Sequence, residues 1–116
     1  MTEPSIPSPV RDVRWIGRIA VAAVQGDIDL SRSVEFQHQL LLLLDENPQR
    51  LVVNLSGVPY MDSSGVASLV KVLSRTRRAG TTLTLVGLSP RVKSLFQITR
   101  LDGVFQIVAT EDEAVA

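Results

Sequence analysis

Short apolar runs alternate along the chain with segments that have helical spacing. Runs rich in β-branched and other apolar residues predict strands at 10–15, 18–25, 51–55, 82–86 and 104–108. Gly17 separates the first two runs, where it can adopt the positive φ of a tight hairpin turn. The run at 51–55 is apolar almost throughout, which is typical of a strand that is covered on both faces.

Three helices are predicted between the strands. The first runs from about Ser31 to Asp45, the second from about Ser64 to Arg78, and the third begins at Pro90. The residues predicted to face inward are Phe36, Leu40, Leu43 and Leu44, then Val66, Leu69, Val70 and Leu73, and finally Val92, Leu95, Phe96 and Thr99. The segment Thr110–Glu113 has the form of a capping box and predicts a last turn of helix.

This order of elements, β-β-α-β-α-β-α-β, predicts an α/β fold in a single domain. The sheet should be mixed but mostly parallel, with the first strand antiparallel and with helices packed on the sheet. Residues 1–9 hold three prolines without apolar periodicity, so they are predicted to be a flexible tail, and residues 10–116 to be the domain. Functional groups of such sheets gather where strands lead into helices, which points to the turns at 26–29 and 62–65.

Composition excludes several classes of function. Twelve basic and twelve acidic residues cancel and only 4% of residues are aromatic, which argues against nucleic-acid binding. The chain has no cysteine and a single histidine, His38, so no Cys or His metal centre or cofactor is expected. No aliphatic run, Leu40–Leu44 included, is long enough to span a membrane, and a cytoplasmic location is expected.

Three roles are open for the hydroxyls of Asp62-Ser63-Ser64-Gly65. One serine can cap the following helix, and Ser64 is the better candidate because Ser63 should point to solvent. Ser63 can instead accept a phosphoryl group, which would add charge at the helix N-terminus. A nucleophilic serine would need a general base. His38, the sole candidate, lies in mid-helix among leucines, so the sequence argues against that role.

Two other surface features are candidates for contacts with a partner. Lys71, Arg75 and Arg78 follow i, i+4, i+7 spacing on the second helix, which suits either a solvated face or a patch that meets an acidic partner. The five leucines at 40–44 surround one helical turn, so at least one must face outward. That residue marks a boundary or contacts another chain, and a weak homodimer is therefore a candidate assembly.

The motifs in their order resemble the STAS domain of bacterial anti-sigma factor antagonists. They are GDID at 26–29, VNLS at 53–56, MDSSG at 61–65, RRAG at 77–80 and LSPRVKSLF at 88–96. The resemblance covers residues 10–108. The family loop usually reads Gly-Glu-Leu-Asp where this chain has Gly-Asp-Ile-Asp, and the residues after Val108 indicate that the last helix is short or missing.

The resemblance implies a partner-switching protein rather than an enzyme. The unphosphorylated form would bind an anti-sigma factor that is also a serine kinase, and so release a sigma factor. The kinase, using ATP and magnesium, would phosphorylate Ser63, and a serine phosphatase would reset the switch. The implied partner-binding residues are Asp29, Asp62, Ser64 and Gly65, and Lys71 and Arg75 are added from their spacing.

Two rival functions remain open at this stage. A constitutive STAS subunit, for example of an ABC transporter or a scaffold complex, would use the serine as a contact and not as a switch. A small serine hydrolase would use Ser63 as its nucleophile and would show turnover that Ser63→Ala abolishes.

Overall fold

The computed structural model describes residues 8–116, and these form a mixed sheet with helices on both faces. The strands are β1 (Val10–Ile16), β2 (Ile19–Gln25), β3 (Arg50–Gly57), β4 (Thr82–Val86) and β5 (Gln106–Val108). The helices are α1 (Leu30–Leu44), α2 (Ser63–Ala79), α3 (Pro90–Ile98) and α4 (Glu111–Val115), with a 3₁₀ turn at Leu101–Gly103. Within this part of the chain, no helix combines the length and apolarity needed to cross a bilayer.

The five strands lie in the order β1-β2-β3-β4-β5, with β1 antiparallel to β2 and all other neighbours parallel. The β1–β2 hairpin closes at the pair Ile16–Ile19, and Gly17 in its turn has φ 57°. Each later strand is reached through a helix, as parallel pairing requires. The predicted α/β fold and its antiparallel first strand are confirmed.

Both faces of the sheet are covered, as the apolar β3 predicts. One face packs against α1, α2 and α3 in a cluster that includes Leu51, Val53, Phe36, Leu69 and Phe96. The other face is covered by α4, through Val21, Val52, Val86 and Ala114. The carboxyl ends of β2 and β3 are thereby fixed in a rigid layer, and each leads directly into the N-terminus of a helix.

Helix α4 is short, and polar contacts attach it to the sheet. Thr110 caps it in the predicted way, because its hydroxyl accepts from the Glu113 amide at 3.3 Å. Glu111 accepts from Asn54 Nδ2 and from Arg14 Nη2, both at 2.6 Å. The hydrogen bond from Asn54, and then that from Arg14, hold the pKa of Glu111 below its ordinary value.

Several sequence expectations are wrong in detail. Val70 is 41% exposed, and Val72 is buried in its place because α2 turns a face centred on Leu69 and Leu73 toward the sheet. Thr99 is exposed at the end of α3. The predicted strand 104–108 starts only at Gln106, since Val104 still has helical dihedral angles after the 3₁₀ turn.

The structure describes two residues of the predicted tail, Ser8 and Pro9. Residues 1–7 of the predicted tail lie outside the described residues. Ser8 and Pro9, which were assigned to the tail, contact the domain: the Ser8 hydroxyl donates to Glu35 at 3.1 Å, and the Pro9 carbonyl accepts from the Gln25 amide at 2.9 Å. These two residues therefore pack against the domain, and the boundary at residue 10 stays a prediction.

Candidate functional site

The two turns that the sequence singles out lie side by side at the carboxyl edge of the sheet. Ile28 forms a parallel bridge with Met61. The Ile28 amide donates to the Tyr60 carbonyl at 3.0 Å, and the Asp62 amide donates to the Ile28 carbonyl at 3.1 Å. These hydrogen bonds join the loop before α1 to the loop before α2, so Asp29 and Asp62 start two neighbouring helices.

Both helices begin with the same capping turn, an aspartate followed two residues later by a serine. Asp29 caps α1 and accepts from the Ser31 amide at 3.0 Å and from the Ser31 hydroxyl at 2.6 Å. Asp62 caps α2 and accepts from the Ser64 amide at 2.9 Å and from the Ser64 hydroxyl. Each carboxylate thus satisfies an amide that would otherwise have no partner inside the helix.

The expectation that Ser64 caps α2 is wrong, because Asp62 occupies the cap position. Asp62 has extended dihedral angles, φ −103° and ψ −174°, as an N-cap residue requires, and Ser63 is the first helical residue. Ser64 is the donor in this arrangement and not the acceptor. Its hydroxyl is half-buried and engaged by Asp62.

The Ser63 hydroxyl is in a different environment from that of Ser64. Ser63 is exposed, and its hydroxyl makes no hydrogen bond within residues 8–116. It lies at the N-terminus of a 17-residue helix, where the backbone amides provide partial positive charge. Of the two serines, only Ser63 presents a hydroxyl that is free to react with a group from solvent.

Hydrogen bonds stabilise the charged form of Asp62. The Ser64 hydroxyl is the main cause, and the amides of Ser64, Gly65 and Leu30 add to it, so the pKa of Asp62 lies below its ordinary value of 3.8. A carboxyl group with a lowered folded-state pKa stabilises the fold above its unfolded pKa, and this contribution is lost as the pH falls through the folded value. The Asp62 carboxylate is therefore ionised at neutral pH and keeps its hydrogen bonds from Ser64.

Replacing the free hydroxyl and replacing the cap should differ in their effect on stability. We expect Ser63→Ala to change the free energy of unfolding by less than about 0.5 kcal/mol, because no contact is lost. We expect Asp62→Ala to lower it by about 1 kcal/mol, because α2 loses its N-cap. Urea unfolding of both variants measures the difference. An equal loss in the two variants would show that the Ser63 hydroxyl helps to hold the helix.

Gly65 faces the interior and not the solvent. A Cβ atom at this position would lie 2.5 Å from Met61 Cγ and 3.0 Å from Ile28 Cγ2. The missing side chain therefore lets α2 pack against the two residues that bridge the loops. The structure gives Gly65 a packing role, and its assignment to partner binding stays a prediction.

Lys71 and Arg75 are exposed on α2, beyond Ser63 along the helix. At 1.5 Å per residue they lie about 12 Å and about 18 Å from Ser63 along the axis. Among the described residues the one ion pair joins Arg14 to Glu111, so neither Lys71 nor Arg75 has an acidic partner within that part of the chain. Both charges are available to a partner, and their binding role stays a prediction.

Sequence reasoning missed three residues around the site. Leu30 is 76% exposed directly after the Asp29 cap, and Tyr60 is exposed with the Arg91 guanidinium 5.7 Å from its ring centroid. Ser68 is buried, and its hydroxyl donates to the Ser33 carbonyl at 3.0 Å, which ties α2 to α1. Two sequence signals could have identified Leu30 and Ser68: an apolar residue at a helix start, and a serine among the inward positions of α2.

The geometry gives no support to a serine nucleophile. His38 is exposed on α1, nine residues after the Asp29 cap, which places it about 13 Å along the helix axis from that cap. Asp62, the carboxylate next to Ser63, is already an acceptor for Ser64. Neither group is placed to take a proton from the Ser63 hydroxyl.

Comparisons with known proteins agree with this architecture. The model of the STAS domain family matches residues 11–114. The anti-sigma-B factor antagonist of Staphylococcus epidermidis is 31% identical over 84 residues, which cover 72% of this chain and 78% of the relative.

Solved structures share the fold. The structure of an anti-sigma factor antagonist from Mycobacterium paratuberculosis aligns with a TM-score of 0.77 at 23% identity, covering 89% of this chain and 87% of the other. The anti-sigma factor antagonist SpoIIAA in its unphosphorylated form aligns with a TM-score of 0.68 at 20% identity, covering 90% and 93%. With a family match that spans nearly all of the described residues, the chain belongs to the STAS domain family.

Proposed function

We propose that this protein is an anti-sigma factor antagonist whose binding is controlled by phosphorylation of Ser63. In its unphosphorylated form it binds an anti-sigma factor that is also a serine kinase, and a sigma factor is released. The observation that carries the proposal is the contrast between the two serines: the Ser63 hydroxyl is exposed and has no partner among the described residues, whereas the Ser64 hydroxyl is bound to Asp62. The name of the Staphylococcus epidermidis relative supports the same class of function.

The chemistry assigns a passive role to this chain. The kinase supplies ATP and magnesium, the Ser63 oxygen attacks the γ-phosphorus, and ADP leaves. The proton of the hydroxyl goes to a base of the kinase, because Asp62 has a lowered pKa and is held by Ser64. A separate serine phosphatase returns the hydroxyl by hydrolysis. The protein is a substrate and a ligand in this cycle, with cytoplasmic partners and no cofactor of its own.

The partner surface surrounds Ser63 and extends along α2. Asp29, Asp62 and Ser64 shape the rim of the site, and Gly65 allows the two loops to pack together beneath it. Lys71 and Arg75 provide positive charge farther along the helix for an acidic part of the partner. A phosphate on Ser63 would lie next to Asp62 in the chain, whose carboxylate caps the same helix.

Phosphotransfer to purified variants tests the proposal. A partner is first isolated from host lysate with Ser63→Ala protein, which should hold the kinase because it cannot be phosphorylated. The isolated kinase is then incubated with ATP and magnesium and with unmodified, Ser63→Ala or Ser64→Ala protein, and phosphate is located by mass spectrometry. We expect phosphate on Ser63 in the unmodified protein and in Ser64→Ala, and none in Ser63→Ala.

Two outcomes would contradict the proposal. Equal phosphorylation of Ser63→Ala and unmodified protein would move the acceptor to another residue. A native protein without phosphate at Ser63, bound to a partner that has no kinase activity, would instead indicate a constitutive STAS subunit.

A further inference from the structure

Strand β1 leaves one edge of the sheet open. It is first in the sheet order, and apart from β2 no described residue forms a hydrogen bond with the backbone of residues 11–16. Its side chains are exposed, including Val13 at 36%, Trp15 at 40% and Ile16 at 43%. A seven-residue edge strand with exposed apolar side chains is a template on which another strand can pair.

The sequence of β1 is complementary to itself. In an antiparallel pair of two copies with the two-fold axis at Val13, Asp12 of each copy lies opposite Arg14 of the other. Opposite charges at facing positions stabilise an antiparallel pair, and here the symmetry provides this pairing twice.

The backbone of β1 has the alternation that this register needs. The two-residue turn after Ile16 makes Ile16–Ile19 a hydrogen-bonded pair, so the N–H and C=O groups of Ile16 and Arg14 point to β2. The N–H and C=O groups of the alternate residues, Trp15 and Val13, therefore point to the free edge. The pair Val13–Val13 at the axis would then exchange two hydrogen bonds. A bulge between Val10 and Asp12 ends the regular edge, and the contact is therefore centred on Asp12–Arg14.

We propose that β1 is a self-association surface that pairs antiparallel with β1 of a second copy about Val13. The five-stranded sheet of each copy would continue into that of the other. Arg14 can bind Glu111 of its own copy and Asp12 of the second copy at the same time. It bonds to Glu111 through one nitrogen, and a guanidinium group has five N–H donors. β2 separates β1 from β3, which leads into Ser63, so pairing leaves the phosphorylation site uncovered.

A single engineered cysteine tests the position of the axis. The chain has no cysteine, so Val13→Cys carries one thiol per copy. Paired residues on the axis have Cα atoms about 5.5 Å apart, which is within the range for a disulfide. We expect Val13→Cys to form a covalent dimer on mild oxidation. The matched control is Ile16→Cys, whose thiols would lie about 20 Å apart along the strand and should not join.

The cysteine experiment has two outcomes against the proposal. No covalent dimer with Val13→Cys, in protein whose circular dichroism shows a native fold, would overturn it. Equal dimer formation by Ile16→Cys would show random collision and would overturn it too.

Charge exchange across the axis is a second and independent test. Asp12→Arg replaces two attractive pairs by two repulsive ones, so the dimer dissociation constant should rise about tenfold in sedimentation equilibrium. The double variant Asp12→Arg/Arg14→Asp restores opposite charges and should recover most of the loss. Thermal unfolding controls for the lost Arg14–Glu111 contact. A double variant as weak as the single one, or an unmodified protein that stays monomeric, would contradict the proposal.

Discussion

Phosphorylation of Ser63 is expected to weaken binding to the anti-sigma factor at least ~100-fold, which is about 2.8 kcal/mol. The phosphate adds about −1.5 to −2 charges beside a site that already holds the carboxylates of Asp29 and Asp62. Those carboxylates are fixed by their capping bonds and cannot turn away. The amides at the helix start offset the new charge within this chain, so the fold should tolerate the phosphate while the interface does not.

Calorimetry on four forms of the protein measures this effect. The phosphorylated protein should bind weakly, Ser63→Ala should bind like the unmodified protein, and Ser63→Asp should lie between them because it carries about half the charge. The matched control is Ser94→Asp, the same change at an exposed serine on α3, outside α2 and the two loops of the site. Equal affinity of all forms would show that residues 62–65 only start the helix and do not control binding.

Gly65→Val is expected to lower the free energy of unfolding by about 3 kcal/mol, at the upper end for an overpacked site. Its Cβ would lie 2.5 Å from Met61 Cγ, and the two γ-methyl groups add further crowding beside Ile28. Since whole domains are stable by about 5–15 kcal/mol, such a loss is a large fraction of the total. Partner binding should weaken as well, because the displaced residues carry the bridge between the two loops.

Urea unfolding of Gly65→Val beside Ala67→Val separates packing from helix propensity. Ala67 is exposed two residues farther along α2, so its replacement should cost no more than about 0.7 kcal/mol. If Gly65→Val were as stable as Ala67→Val, the close contact with Met61 would not constrain the site. Native affinity in a folded Gly65→Val protein would show that binding does not depend on the loop bridge.

Periodicity was sufficient to predict most of the fold. The near-continuous apolar run in β3 indicated burial on both faces, and α4 provides the second cover. The inward face of α1 was predicted correctly because Phe36, Leu40, Leu43 and Leu44 form one clear stripe. The face of α2 was less certain, since Val70 and Val72 are equally apolar and only packing against the sheet decides which is buried.

The sequence predicts where the two candidate turns lie in the fold but not the local roles of their residues. The rule that strands lead into functional helix starts was enough to place 26–29 and 62–65 at one edge. The roles of Asp62 and Ser64 were exchanged because either residue type can cap a helix, and the choice depends on where helical dihedral angles begin. The pairing of the two loops through Ile28 and Met61 could not be predicted, because it joins residues 33 positions apart that show no pattern in common.

That pairing makes the surface around Ser63 discontinuous in sequence. The Asp62 amide donates to the Ile28 carbonyl, and the Ile28 amide donates to the Tyr60 carbonyl, so the loop that carries Asp62 is held by the loop before α1. A synthetic peptide of residues 58–68 would contain the serine and its neighbours but would lack the segment that sets their conformation. We therefore expect a kinase that acts on Ser63 to need a folded epitope, which a search for short linear motifs would overlook and a peptide library would fail to reproduce.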